Sequence, residues 1–222
     1  MNIVNILSYP FKQGSQKQIL TGGLLSLFGI LLFPIVLVFG YYYEVMHDTI
    51  KGESNPPEFN SDNLSRLAVK GIGVTFIILV YGIFLTFTIV GALYVLQPYT
   101  SLNNLKILAP NSILPALSVP FIGILTVIII GYLMNASFVS YAVSDNILSA
   151  FSPEKLAITI LSREFAVINA LLVLFLFVAS VILAIFSVIP LIGQLAVPFV
   201  QFPIFVITWH ALGVAGKDIK YR

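Results

Sequence analysis

The chain has 222 residues, of which 59% are hydrophobic and 9% charged, with a formal net charge of +2. An ordinary soluble domain carries about 25% charge, so most of this surface faces something other than water. The small net charge excludes nucleic acid as a partner, no dense Lys/Arg block marks an anionic-lipid patch, and the absence of cysteine excludes disulfides and thiolate metal sites.

Residues 1–18 read as an interfacial arm. Ile3, Ile6, Leu7, Tyr9 and Phe11 beside Lys12 and Lys17 suit a segment lying along a membrane surface, and Pro10 limits its helix. The apolar stretch Ile19 to Tyr43 that follows exceeds the 7 to 15 residues of a signal-peptide core and lacks a small-residue cleavage site, so it is expected to stay as an anchor. Pro34 and Gly40 predict a kink within it, and the polar continuation Glu44 to Lys51 leaves the bilayer as the same helix.

A second span runs from Gly71 to Leu96. The next charge-free run, Ile107 to Ser144, is punctuated by Pro110, Pro115 and Pro120, which places a helix at Pro120 to Val143 and an irregular headgroup-level connection at 97–119. From Phe165 to Gly216 there is no Asp, Glu, Lys or Arg. About 20 apolar residues cross a hydrocarbon core about 30 Å thick, so this run crosses twice, at 165–189 and 191–213, with Pro190 in a tight turn. The sum is an all-α membrane protein: one transmembrane helical domain over 19–216, a bundle of about five transmembrane helices with short interfacial helices, and a basic tail at 217–222. Tyr41 to Tyr43, Tyr94, Tyr99 and Trp209 fall near proposed span ends, where amphipathic rings prefer to sit.

Lys51, Arg66 and Lys70 follow the first span, Lys155 and Arg163 follow the third, and Lys217, Lys220 and Arg222 form the tail, whereas the 97–119 connection has only Lys106. The positive-inside rule puts the three basic segments, and with them the C-terminus, in the cytoplasm of a multi-pass cell-membrane protein. Five crossings then place the N-terminal arm outside, against which Lys12 and Lys17 object; a first segment that re-enters rather than crosses removes the objection.

The two basic loops share a grammar. Gly40-Tyr41 leads through polar residues to Phe59-Asn60-Ser61-Asp62 and an amphipathic segment with Leu64, Leu67 and Ala68. Gly131-Tyr132 leads to Phe151-Ser152-Pro153-Glu154 and a segment with Leu156, Ile160 and Leu161. Ser152 as N-cap, Pro153 at the first helical position and Glu154 at the positive helix end predict a surface helix over 153–164. The parallel suggests internal duplication of a span, interfacial helix, span unit.

The string Gly40-Tyr41, Lys51-Gly52-Glu53, Pro56-Pro57-Glu58-Phe59 and Lys70-Gly71 before an apolar run resembles a family of multi-pass membrane proteins, found largely in archaea, catalogued as domain of unknown function 4013. Tyr141-Ala142, Ala150-Phe151 and Ile189-Pro190-Leu191-Ile192-Gly193 are similar to that family's later motifs, so the resemblance covers nearly the whole chain. It implies architecture and membrane localisation and carries no catalytic residues.

Glu44, His47, Asp48 and Lys51 share one helical face, and Glu-x-x-His is a metal-ligand spacing of four-helix di-iron proteins. A solvated helix end with weak acid and base pairs explains the same pattern more simply. Within the proposed spans the polar residues are Asn135, Asn169, Gln194, Gln201 and His210, which in lipid act chiefly as hydrogen-bonded glue between helices. With no carboxylate or lysine among them, ion-coupled transport is disfavoured. Ala136, Ser140 and Ser144, and Ser180, Ala184 and Ser187, mark faces of close helix approach. Gly22-Gly23 and Gly71-Ile72-Gly73 match no phosphate loop, and no hydrolase or zincin motif is present.

The expected function is that of a non-enzymatic, membrane-organising or partner-binding component. Its partners are membrane lipids and another membrane protein or a second copy, and no cofactor is required. The alternative is a permease for an uncharged or weakly polar solute around Asn135, Gln194 and His210; a metal-dependent enzyme at Glu44, His47 and Asp48 ranks third.

Overall fold

The protein is described by a computed structural model covering residues 3–12, 15–29, 31–53, 55–100, 110–190 and 192–221. Among these residues it is all-helical: α1 (Ile3–Ser8), α2 (Gln16–Leu27), α3 (Leu32–Lys51), α4 (Leu64–Thr100), α5 (Pro110–Ser144), α6 (Pro153–Leu161), α7 (Arg163–Ser187) and α8 (Ile192–Gly216), with short 3-10 turns at Tyr9–Phe11, Ser61–Asn63 and Ile147–Phe151. Four stretches are long and apolar enough to cross a membrane: Leu64–Gly91, Gly123–Ser144, Arg163–Ser187 and Gly193–Gly216. That fits a multi-pass membrane protein. The chain forms two compact units, residues 1–76 with 136–222, and residues 77–135.

The expected first span does not form as one kinked helix. α2 ends at Leu27, Phe28 and Gly29 form a turn, Leu31 is extended with ψ 124°, and Pro34 falls in the first turn of α3 instead of kinking a continuous helix. A proline there lacks only an N–H that would have no intrahelical partner, so it starts a helix at no hydrogen-bond cost. The 12 residues of α2 rise about 18 Å, too short for a 30 Å core.

Both halves of this broken segment pack on α8, in opposite directions. Gly22 and Gly23 of α2 lie against Phe202 and Phe199, so residue numbers run in reverse. Tyr42 of α3 meets Phe205 and Trp209, while Met46 and Ile50 meet Gly213 and Gly216, so α3 runs parallel to α8. The α2–α3 pair is therefore a hairpin that returns to the end it left. Tyr9 stacks on His210 near the C-terminal end of α8, and its hydroxyl donates to the Asn55 carbonyl at 3.2 Å. The N-terminal arm thus lies beside the first loop and the C-terminal end of α8, not opposite them as five crossings would require.

The core of this larger unit surrounds α8. Tyr41, Tyr42, Phe202, Phe138 and Trp209 are buried there, with Phe138 and Trp209 rings 4.6 Å apart. Trp209 and Tyr41 to Tyr43 are interior residues, not an interfacial belt; Tyr94 is exposed, and the side chain of Tyr99 lies outside the described residues. α3 crosses the start of α4 at backbone contact, where a Cβ on Gly40 would collide with the Leu67 carbonyl oxygen and one on Gly71 with that of Val36.

Within the smaller unit, α4 and α5 continue as helix through 97–100 and 110–119, where an irregular connection was expected; 101–109 lie outside the described residues. Helix is the only local way to satisfy a backbone in lipid, which outweighs proline's penalty.

α6 begins at Pro153 as predicted, but the Ser152 side chain makes no cap bond. Its inward face carries Thr159 while Leu161 is exposed. In the first loop, by contrast, the 3-10 turn at Ser61–Asn63 runs directly into α4 with no separate surface helix. The two halves thus differ at this step. Of the small-residue faces, Ala136 and Ser140 are buried, whereas Ser180, Ala184 and Ser187 face outward.

The glycine crossing yields a graded expectation. Gly40→Ala and Gly71→Ala meet backbone, which cannot step aside, and each should destabilise the protein by about 3 kcal/mol or abolish its folding. Gly22→Ala meets only the Phe202 ring. Thermal unfolding in detergent should place it clearly above the other two.

Candidate functional site at the polar end

Every described lysine and arginine lies on the arm, on the 44–70 or 144–164 segments, or just past α8. The acids and the chain's two histidines gather at the same end, because an unpaired charge in hydrocarbon is expensive.

Glu44 is 2% exposed on α3 and accepts from Arg66 Nε at 3.2 Å, a half-exposed guanidinium one turn into α4. His47, on the same face, has Nδ1 2.9 Å from the Ala142 carbonyl oxygen. A carbonyl only accepts, so Nδ1 carries the proton and donates. Asp48 is half-buried. Burial first, then repulsion from Glu53 and Glu44, pushes its carboxyl up to about 6. Glu44, His47 and Asp48 thus share a helix face as the spacing predicts, but Glu44 is turned to Arg66 and His47 to the Ala142 carbonyl. Among the described residues no three His, Cys, Asp or Glu side chains gather to hold a metal.

A second cluster escapes sequence reasoning. Tyr43 donates its hydroxyl to Asp145 Oδ1 at 2.5 Å, Lys70 donates to the same oxygen, and the ammonium lies 5.2 Å from the Tyr43 ring centre and 5.9 Å from that of Tyr141. Asp145 follows the last turn of α5 in a left-handed conformation, φ 51°. Asp tolerates that region better than most residues, and the pose ends the helix while aiming the carboxylate back at α3 and α4. Burial alone would raise the Asp145 pKa; the bonds from Lys70 and Tyr43, with attraction from Lys70 and His47, hold it below the usual carboxylate range.

The third cluster joins the arm to α3 and α8. Thr49 Oγ1 donates to the Val45 carbonyl at 2.6 Å and lies 2.7 Å from His210 Nδ1. The hydroxyl has one proton, already committed to Val45, so His210 Nδ1 donates to Thr49. The His210 ring is covered by the Tyr9 ring, centres 3.7 Å apart and planes nearly parallel, and Lys12 lies over the Tyr9 ring. A fourth cluster ties in the tail. Tyr221 bonds Thr159 at 2.8 Å and Ser140 at 3.0 Å, and Ser149 donates to the Ser140 carbonyl at 2.8 Å. Its burial raises the Tyr221 hydroxyl, against the lowering effect of those two bonds.

The remaining polar residues do not converge on these clusters. Asn135 belongs to the smaller unit, and Gln194 is exposed sixteen residues before His210, about 24 Å along the axis of α8. Asn169 is buried and donates to the Phe165 carbonyl at 3.0 Å, within its own helix. Among the described residues no buried side-chain nitrogen or oxygen lacks a partner. Chemically the polar end is a set of clasps: Glu44 and Asp145 are matched to cations, and the side chains of Tyr43, His210 and Tyr221 bond groups on other elements.

Asp48 provides a pH test of this geometry. Its folded pKa is raised above the unfolded value near 3.9, so the native state favours the protonated form, and stability is lost as pH rises from about 4 through about 6. Asp48→Asn should raise thermal stability at pH 8 by about 1 kcal/mol, after allowing for solvent screening, and leave it nearly unchanged at pH 4. An equal effect at both pH values would contradict the half-buried, acid-flanked environment.

Comparison with curated proteins and with solved structures finds no match. The model of the family described as protein of unknown function, DUF4013, matches residues 24–188. That span holds α3, α4, α5, α6 and α7, and with them Gly40, Gly71, Lys70 and Asp145, so the crossing and the Asp145 clasp both lie inside the matched region. The chain belongs to the DUF4013 family.

Proposed function

We propose that this is an integral protein of the cell membrane that crosses with α4, α5, α7 and α8, carries α2–α3 as a re-entrant hairpin, and acts as a membrane-organising or partner-binding component. The observation that carries this reading is the filled interior around α8, where aromatic rings occupy the core and, among the described residues, every buried polar side chain has a hydrogen-bond partner. A permease needs polar groups that face a passage and are free to exchange partners with a solute. Here His210 is held by Thr49 and covered by Tyr9, and Gln194 lies far along the helix. Function is then left to the outer surfaces, among them the long apolar faces of α4 and α7. Four crossings bring the arm and the tail to the same side. The positive-inside rule makes that side the cytoplasm, and Lys12 and Lys17 now agree with it.

Purified protein in sealed vesicles tests the reading. Glycerol and urea should equilibrate at the rate of protein-free vesicles when followed by light scattering. A saturable acceleration, abolished by His210→Ala while the variant stays folded, would favour the permease instead.

A further inference from the structure

An apolar groove of about 300 Å³ runs between the arm and the outer faces of α7 and α8. Ile6 and Leu7 of α1 roof it, Ile168, Phe175 and Val178 of α7 form one wall, and Ile207 of α8 forms the other. We infer that this groove holds one acyl chain of a membrane phospholipid from the leaflet at the polar end.

Three observations identify the occupant. The lining is almost wholly apolar, so it offers nothing to a polar solute and suits hydrocarbon. Its extent along α7, from Ile168 to Val178, is about 15 Å, half of a 30 Å hydrocarbon core and so the depth of one leaflet. Its upper end lies at the charged end of the molecule: Arg163 stands five residues, about 7.5 Å, before Ile168, Lys12 lies 5.1 Å from the centre of the Tyr9 ring that stacks on His210, the neighbour of the groove's Ala211, and Lys217 directly follows α8. Glu164 and Asp218 are the acids beside them. A chain entering here would place its phosphate at the end of the groove that carries Arg163, Lys12 and Lys217, and its methylenes against side chains that α1 leaves uncovered on the α7 side.

This inference rests on the reading of α7 and α8 as spanning helices, and one experiment separates the two. The wild-type protein is reconstituted into phosphatidylcholine vesicles containing a phosphatidylcholine with a diazirine at mid-chain. It is then irradiated, and the adducts are mapped by mass spectrometry. Adducts should concentrate on the groove-lining Leu171, Phe175 and Val178 over Val173 and Phe177, which are more exposed on the same helix but lie outside the groove. Leu171→Trp and Val178→Trp, both at exposed positions, should fill the groove and lower its labelling by about tenfold, equivalent to roughly 1.4 kcal/mol of lost chain burial. Val173→Trp should not. Even labelling around α7, unchanged by either filling variant, overturns the groove as a site. No labelling of α7 anywhere overturns the spanning reading beneath it. The wild-type adduct map decides the matter even if one tryptophan variant misfolds.

Discussion

Hydrocarbon does not accommodate unpaired charge, and the rest of this structure follows from that constraint. The described basic residues, the acids and both histidines are pushed to one end, and once they share that end they must be paired or solvated. Pairing there joins elements far apart in sequence. Asp145 reaches Lys70 across 75 residues and Tyr43 across 102, and Tyr221 reaches Ser140 across 81. The polar end thus closes the larger unit in the way a core closes a soluble domain.

The opposite problem, bringing apolar helices together where lipid is as apolar as they are, is solved by close backbone approach. Gly40 and Gly71 let α3 and α4 touch main chain to main chain, and Gly213 and Gly216 let α8 approach α3. Aromatic rings fill the volume that remains around α8. These two devices operate on the same helix: α3 carries the glycine crossing in its first half and Glu44, His47 and Thr49 in its second. Together they explain why this segment turns back toward the polar end. Its charged half is anchored there, and its apolar half has only the distance to Leu32 in which to descend.

Much of the architecture was legible in the residues. Long charge-free runs located α4, α5, α7 and α8, and Pro190 located the tight turn between the last two, because length and charge alone decide what can cross a membrane. Ser152-Pro153-Glu154 located the start of α6. The break between α2 and α3 was not legible, since hydropathy is continuous through it and Pro34 pointed to a kink downstream. Tyr41 to Tyr43 and Trp209 looked like interfacial rings because sequence position gives depth but not which side of a helix faces protein. The Asp145 clasp carried no local signal: an aspartate after a span and a lysine before one are individually ordinary, and only tertiary packing brings them together. Glu44 and His47 illustrate the converse, a local spacing that packing divides between Arg66 and the Ala142 carbonyl.

The return of the α2–α3 hairpin to its starting end is the central claim, and single cysteines in this cysteine-free chain test it most directly. Asn5 is exposed on the arm and Lys220 is exposed on the tail. In sealed, oriented vesicles a membrane-impermeant maleimide should label Asn5→Cys and Lys220→Cys from the same side. Labelling from opposite sides would mean that the first apolar segment crosses the membrane, and would contradict the account.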